Sequence, residues 1–259
     1  MQVTVLGCGS SSGVPMIGCT CCVCVSEHPE NQRFRSSVWV RSHEKSFLID
    51  SSPDLRIQAL HHHILKIDAV LITHPHADHI YGMDELRRFN QLQKKEIPVY
   101  ANAWTSSGLE KKFDYIFQRS ELREGRSIPL LTLHPFVSED SSIEIQGLSW
   151  IPLPVQHGSE TCIGYRLGSF AYVTDCHLIP PSTLKRMEGL DTLILDCLRL
   201  EPHRTHLHLQ KALEIISELQ PKKAYLTHLG HEIDYHRDQK LLPSQVFFAY
   251  DGLVLNIPS

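Results

Sequence analysis

Residues 71–82 read LITHPHADHIYG and place His74, His76, Asp78 and His79 within six positions, directly behind an apolar run. Neutral imidazole is the commonest metal ligand and carboxylates suit divalent cations, so the chemistry this spacing suggests is metal binding. His74 and His76, one residue apart on an extended turn, can point the same way. Asp78 and His79 follow as the chain bends into a helix and can reach a neighbouring position. A second dense group is CTCCVC, with Cys19, Cys21, Cys22 and Cys24. Neighbouring cysteines cannot readily bridge one another, and eight cysteines in 259 residues are not a disulfide framework, so metal binding fits this crowding better.

The elements that must position these residues are legible as alternation. Strand-like runs VTVLG, SSVWVRS, SFLID, DAVLI, IPVYA, FAYVTD, TLILDC, KAYLTH and LVLNI alternate with helical patterns near 54–64, 82–93, 105–117, 180–188 and 208–220. That pattern predicts a single α/β domain over 1–259. The most polar stretch, roughly 118–142, reads as a surface excursion of that domain, and residues 82 to 125 as the lining or cover of the site's mouth. His74, Asp175 and His228 each follow an apolar run (AVLITH, FAYVTD, KAYLTH), so all three are expected at the carboxyl ends of strands. Open α/β sheets bind their ligands along that edge.

Composition narrows the classes. The chain is 42% hydrophobic with a formal net charge of -4, and its lysines run no longer than pairs, so nothing marks a nucleic-acid surface. The start lacks a secretory leader and no apolar run approaches the ~20 residues that span a bilayer, which predicts a soluble cytoplasmic protein. His61, His62 and His63 on a helix would face about 100° apart and are expected at the surface. Gly7, Gly9 and Gly13 lack the spacing of a dinucleotide loop. Arg33 and Arg35 read as an exposed basic pair.

The His-x-His-x-Asp-His run resembles the signature of the metallo-β-lactamase superfamily of binuclear hydrolases, and the resemblance extends over nearly the whole chain. It implies a four-layer αββα sandwich of two mixed sheets flanked by helices. It also implies two catalytic divalent ions, manganese or zinc. One would take His74, His76 and His157; the other Asp78, His79 and His228; Asp175 would bridge them. Asp50, in FLIDSSPDL, matches an aspartate that lies beneath the metals and orients ligands. The opening LGCGSSSGVPMIGCTCCVC is similar to that of the cyclic phosphodiesterases related to phosphoribosyl 1,2-cyclic phosphate phosphodiesterase. In them three cysteines and a distant histidine hold a structural zinc; Cys19, Cys21, Cys24 and His231 fit, with Cys22 a possible replacement. Such a Cys₃His site is closed and holds no reactive water.

His206, in HRTHLHLQKALEII, lines up with the catalytic histidine of the same relatives, while His203 and His208 are expected at the surface or behind it. Asp78 and His206 are the catalytic candidates. Two ions about 3.5–4 Å apart would lower the pKa of a shared water and neutralise a phosphate oxygen, with His206 serving the leaving oxygen. The expected substrate is a small phosphodiester, a cyclic ribosyl phosphate being the favoured example. The expected assembly is a homodimer with no nucleic-acid or membrane partner. The main competitor is a transfer-RNA 3′-end nuclease resembling ribonuclease Z. A thioester or lactone hydrolase and a non-catalytic metal or thiol sensor stand behind it.

Overall fold

The structure is a computed structural model that describes residues 1–118, 128–136 and 141–258. The first half of the chain contributes β1 (Gln2–Gly7), β2 (Ser37–Ser42), β3 (Lys45–Ile49), β4 (Ala69–Leu71), β5 (Ile97–Asn102) and β6 (Leu131–Phe136). The second half contributes β7 (Ile143–Ile145), β8 (Leu148–His157), β9 (Glu160–Leu167), β10 (Phe170–Val173), β11 (Thr192–Asp196), β12 (Lys223–Thr227), β13 (Val246–Phe248) and β14 (Val254–Asn256). One seven-stranded sheet runs β14-β1-β2-β3-β4-β5-β6 and the other β13-β12-β11-β10-β9-β8-β7. Both are mixed. In the first, β1 to β3 and β14 pair antiparallel and β3 to β6 parallel. In the second, β7 to β10 pair antiparallel and β10 to β13 parallel.

Helices cover the outer faces: α1 (Leu55–His61), α2 (Ala77–Ile80), α3 (Leu86–Gln93), α4 (Ala103–Lys112) and α5 (Asp114–Phe117), then α6 (Pro181–Arg186), α7 (Leu209–Leu219) and α8 (Tyr235–Asp238). The strands read as continuous apolar runs because both of their faces are buried, and successive side chains point opposite ways. On β3, Phe47 and Ile49 enter the core between the sheets with Trp150 and Tyr165, while Leu48 faces Leu55, Leu86 and Leu109 of the helices. Phe47 meets Trp150 edge to face at 5.2 Å. Tyr165 Oη donates to Ile72 O across the sandwich at 2.8 Å, tying the second sheet to the segment that leads to His74. On the second sheet α7 buries Leu209, Ala212, Ile215 and Ile216, a helical stripe. This is the expected four-layer arrangement.

Two expectations change. The stretch 118–142 is not wholly an excursion, because β6 joins β5 in parallel and buries Leu131; Pro135 is tolerated because β6 is an edge strand. Residues 119–127 and 137–140 lie outside the described residues, and with them part of the expected 82–125 mouth. Arg33 is not exposed: it is 2% accessible and donates to Gly230 O, Ile233 O, Glu30 O and Asn31 Oδ1, so it fastens the amino-terminal loop to the chain after His228. Arg35 is half exposed and pairs with Asp54 at 2.9 Å. His61 and His63 are exposed as expected. No helix among the described residues is long and apolar enough to cross a membrane.

Candidate metal centre

The strand ends bring the dispersed residues together. Asp50 follows β3, His74 lies three residues past β4, His157 ends β8, Asp175 lies two past β10, Asp196 ends β11 and His228 follows β12. Asp50, Asp175 and His228 turn off their strands with φ of 63°, 54° and 59°. Such left-handed backbone costs of order 1–3 kcal/mol per non-glycine residue and here aims each side chain into the cleft between the sheets. His76 precedes the short helix α2, which carries Asp78 and His79.

Two groups of donors result. His74, His76 and His157 form one, with His74 Nε2 2.9 Å from His76 Nδ1 and the His157 ring 5.6 Å and 5.2 Å from the other two. Asp78, His79, Asp175 and His228 form the other. Asp175 lies between them: its Oδ1 is 3.8 Å from His74 Nε2 and 3.3 Å from His228 Nε2, and its Oδ2 is 3.2 Å from His79 Nε2. Asp78 Oδ2 is 3.2 Å from His79 Nε2 and 3.6 Å from His228 Nε2.

The electrostatics of the two groups differ. Burial, helped by neighbouring imidazoles, lowers the pKa of His74 and His76, and burial also lowers that of His157, so this trio is neutral and its nitrogens can act as ligands. Around His79 burial works in the same direction, but Asp175, Asp78 and Asp50 outweigh it and raise its pKa well above the imidazole range. Asp175 is held well below the carboxylate range because His228, His79 and His74 outweigh its own burial. The second group is therefore rich in negative charge that a divalent cation would neutralise.

The donor set passes a direct test of fit. His79 Nε2, His228 Nδ1 and His228 Nε2 are buried without a hydrogen bond, although both Nε2 atoms have carboxylate oxygens near 3.3 Å. Orphaned buried polar atoms cost about 1–3 kcal/mol each, and a cation between the Nε2 atoms and the carboxylates would satisfy both nitrogens at once. Supporting bonds hold the rings from behind. Asp50 accepts from His79 Nδ1 at 2.7 Å and from Thr73 N at 2.8 Å, and Thr205 O accepts from His157 Nδ1 at 2.8 Å.

His206 stands beside both groups. Its ring stacks on His228 at 4.8 Å and meets His157 at 4.7 Å, and its Nε2 is 3.9 Å from Asp175 Oδ1. On the other side Nδ1 faces Asp196 Oδ1 at 3.4 Å. Asp196 was not singled out by the sequence reading, yet it is fully buried and also accepts from Asp175 N at 3.0 Å and Leu207 N at 2.9 Å. Its one signal is that LILD has the same form as FLID and YVTD, an apolar run ending in aspartate. His203 packs against His206 at 5.2 Å, and His208 precedes α7.

The cysteine group also assembles, 200 residues apart in sequence. His231 Nδ1 is 3.3 Å from Cys19 Sγ, 3.5 Å from Cys21 Sγ and 3.8 Å from Cys24 Sγ. Zinc bonds of about 2.3 Å to sulfur and 2.0 Å to nitrogen put tetrahedral neighbours about 3.5 Å apart, so these separations match a common ion. Cys24 N–H, donating to Cys21 Sγ, and His231 beside it draw the Cys21 thiol down to about 6, which favours the thiolate. Cys22 is exposed and stands outside this group.

Comparison with known proteins agrees with this geometry. The family model for the β-lactamase superfamily domain, Lactamase_B_2, matches residues 45–229, which include all the catalytic-centre candidates. The chain belongs to the β-lactamase superfamily. Among solved members of similar fold, a diphosphatase from the PhnP family superposes with a TM-score of 0.92 at 40% identity, covering 99% of this chain and 98% of that one. Human tRNase Z, short form (ELAC1), covers 100% of both chains with a TM-score of 0.71 at 18% identity, a likeness of fold. Among curated proteins, the octanoyltransferase of Porphyromonas gingivalis (strain ATCC BAA-308 / W83) is 33% identical over 256 residues, 98% of this superfamily member. The match spans only 51% of that relative, about half its length.

Proposed function

We propose that this superfamily member is a metal-dependent hydrolase of a small phosphodiester, with a cyclic ribosyl phosphate as the favoured substrate. The observation that carries the reading is the convergence of two complete donor groups on Asp175, with His206 poised beside both. His74, His76 and His157 would hold one divalent ion and Asp78, His79 and His228 the other, Asp175 spanning them. Manganese and zinc both suit these nitrogen and oxygen donors. When bound, the ions supply Lewis acidity, making a water acidic near neutral pH and neutralising phosphate charge.

The chain's own residues do the rest. Asp50 and Thr205 fix the rings of His79 and His157, so the donors need not reorganise. His206 carries the proton for the leaving oxygen on Nε2, while Asp196 beside Nδ1 stabilises the imidazolium and its orientation. Cations held by the neutral trio and by the acidic group would place positive charge where the phosphate gathers negative charge. Cys19, Cys21, Cys24 and His231 would hold a structural zinc that ties the amino-terminal loop to the segment after His228.

The test is hydrolysis of bis(p-nitrophenyl) phosphate, a ribose cyclic phosphate, a dinucleotide joined by a diphosphate, and a precursor transfer RNA. Manganese or zinc is supplied, with chelator-treated protein as control. Metal-dependent turnover of the small esters but not the RNA supports the proposal; preference for the diphosphate would move the substrate toward that of the PhnP-family relative. Efficient RNA cleavage would replace the proposal with the nuclease reading, and silence on all four would refute it.

A further inference from the structure

We infer that His28, Glu30 and His236 form another metal site, for a divalent transition ion such as zinc, separate from the catalytic donors and from the cysteine group. One ligand atom from each of these residues lies within 4.8 Å of the others. The rings of His28 and His236 meet at 4.6 Å, and His236 Nε2 is 3.3 Å from Glu30 Oε2.

An ion pair between Glu30 and His236 is the simplest alternative, and the geometry weighs against it. Glu30 Oε2 is buried and makes no hydrogen bond despite the imidazole nitrogen at 3.3 Å, so the ring's N–H axis does not point at it. The same signature, close donor atoms that do not bond to one another, marks His79 and His228 in the catalytic cleft. Atoms arranged around a common point behave this way.

The site is also held in place by neighbours that are not donors. His28 and Glu30 flank Pro29 at the start of a 3₁₀ turn, Pro29–Asn31, and His236 lies on α8. Asn31 fixes the register of these two segments: its Nδ2 donates to Asp234 Oδ2 at 3.0 Å and its Oδ1 accepts from Tyr235 N at 3.0 Å. The His236 side chain is 51% accessible and that of Glu30 27%, which leaves coordination positions open to water. Two imidazoles and one carboxylate select zinc, nickel or copper over magnesium and calcium, which prefer all-oxygen sites. Because the donors come from segments about 200 residues apart, an ion there clasps the same two stretches as the cysteine group, and binding stabilises the folded chain by linkage.

The experiment uses the metal-replete protein with Cys22→Ser throughout, so that the exposed thiol does not bind zinc. Zinc content is measured by equilibrium dialysis, and the melting temperature is followed with and without added zinc. The expected result is one more zinc per chain than in the His28→Ala/His236→Ala double variant, and a zinc-dependent rise in melting temperature that the double variant lacks. Glu30→Gln should bind this ion at least about 10–100-fold more weakly. Equal zinc content and equal thermal response in the parent and the double variant would overturn the inference, as would unchanged affinity in Glu30→Gln. A circular dichroism spectrum and a cooperative melt without added zinc that match the parent's establish that each variant has folded.

Discussion

In the first sheet the pairing changes from antiparallel to parallel at β3, and Asp50 follows that strand with φ 63°; in the second it changes at β10, and Asp175 lies just beyond with φ 54°. The two aspartates occupy matching places, and both are almost wholly buried. Their surroundings divide them. Asp50 is surrounded by donors, Thr73 N, Thr73 Oγ1 and His79 Nδ1, and burial raises its pKa even against those partners. Asp175 faces the Nε2 atoms of four imidazoles, His74, His79, His206 and His228, at 3.2–3.9 Å, and its pKa is held low. The same backbone device makes a support in one sheet and a proposed bridging ligand in the other.

A second contrast lies in the carboxylate behind the ligands. Asp50 holds His79 at 2.7 Å, whereas Asp196 stands 3.4 Å from His206 Nδ1 and 3.8 Å from His228 Nδ1. Asp50 grips one ring, whereas Asp196 stands between two.

The largest effect should come from Asp175→Ala, which removes the group common to both donor sets. Metal analysis should find at least one catalytic ion lost and turnover abolished, with the cysteine-bound zinc retained; full occupancy of the catalytic centre would break the distinction between the two aspartates. His206→Asn should keep both catalytic ions but lower kcat by roughly 10²–10⁴-fold. Unchanged kcat would remove His206 from proton transfer. Asp50→Asn acts through the support of His79 and, by way of Thr73, of His74, and should weaken metal affinity by about 10–100-fold, read from a chelator titration, with activity restored at high metal concentration. If excess metal restores nothing, Asp50 does more than support a ligand.

The smallest effect concerns Asp251, near β14 of the first sheet, which accepts from Cys8 N at 2.9 Å and Phe34 N at 2.6 Å. Burial raises its carboxyl to about 7. The folded chain therefore favours its proton more than the unfolded chain, whose aspartates titrate near about 3.9. The stability this contributes is full below pH ~4 and is lost as pH rises through about 7. The melting temperature of the parent relative to Asp251→Asn should fall across that window; a constant difference would show that Asp251 is ionised in the fold throughout.

What could be read in advance divides along the same line between the sheets. The ligands of the first sheet are contiguous, 74 to 79, because one strand end and one short helix supply them all, so their spacing was visible. Those of the second come singly from β8, β10 and β12, and each is an ordinary residue until the sheet aligns the strand ends. Asp196 went unseen for that reason: nothing local separates a strand-ending aspartate that orients from one that ligates. The β8–β9 hairpin was also missed, since Pro152 and Pro154 interrupt the strand pattern. They are tolerated because, among the described residues, β7 pairs with residues 148–150 and no ladder bond reaches the far side of β8 at Pro152 and Pro154. Arg33 looked like a solvent-facing charge, and only the fold supplies the carbonyls of Gly230 and Ile233 that let it be buried.

The meeting of the chain's two ends has an architectural consequence. β14 lies beside β1, and Met1 N donates to Ile257 O at 3.0 Å. Because β1 runs parallel to β3 and β4, its beginning lies at the edge of the sandwich opposite the strand ends that carry the donors. A short peptide could join the ends and a new opening could be cut in a surface turn, as in a circular permutant, with the donor edge untouched. By the same geometry a second domain can be spliced onto either end without crowding the cleft, an arrangement compatible with a relative in which the matching region makes up half of a longer polypeptide.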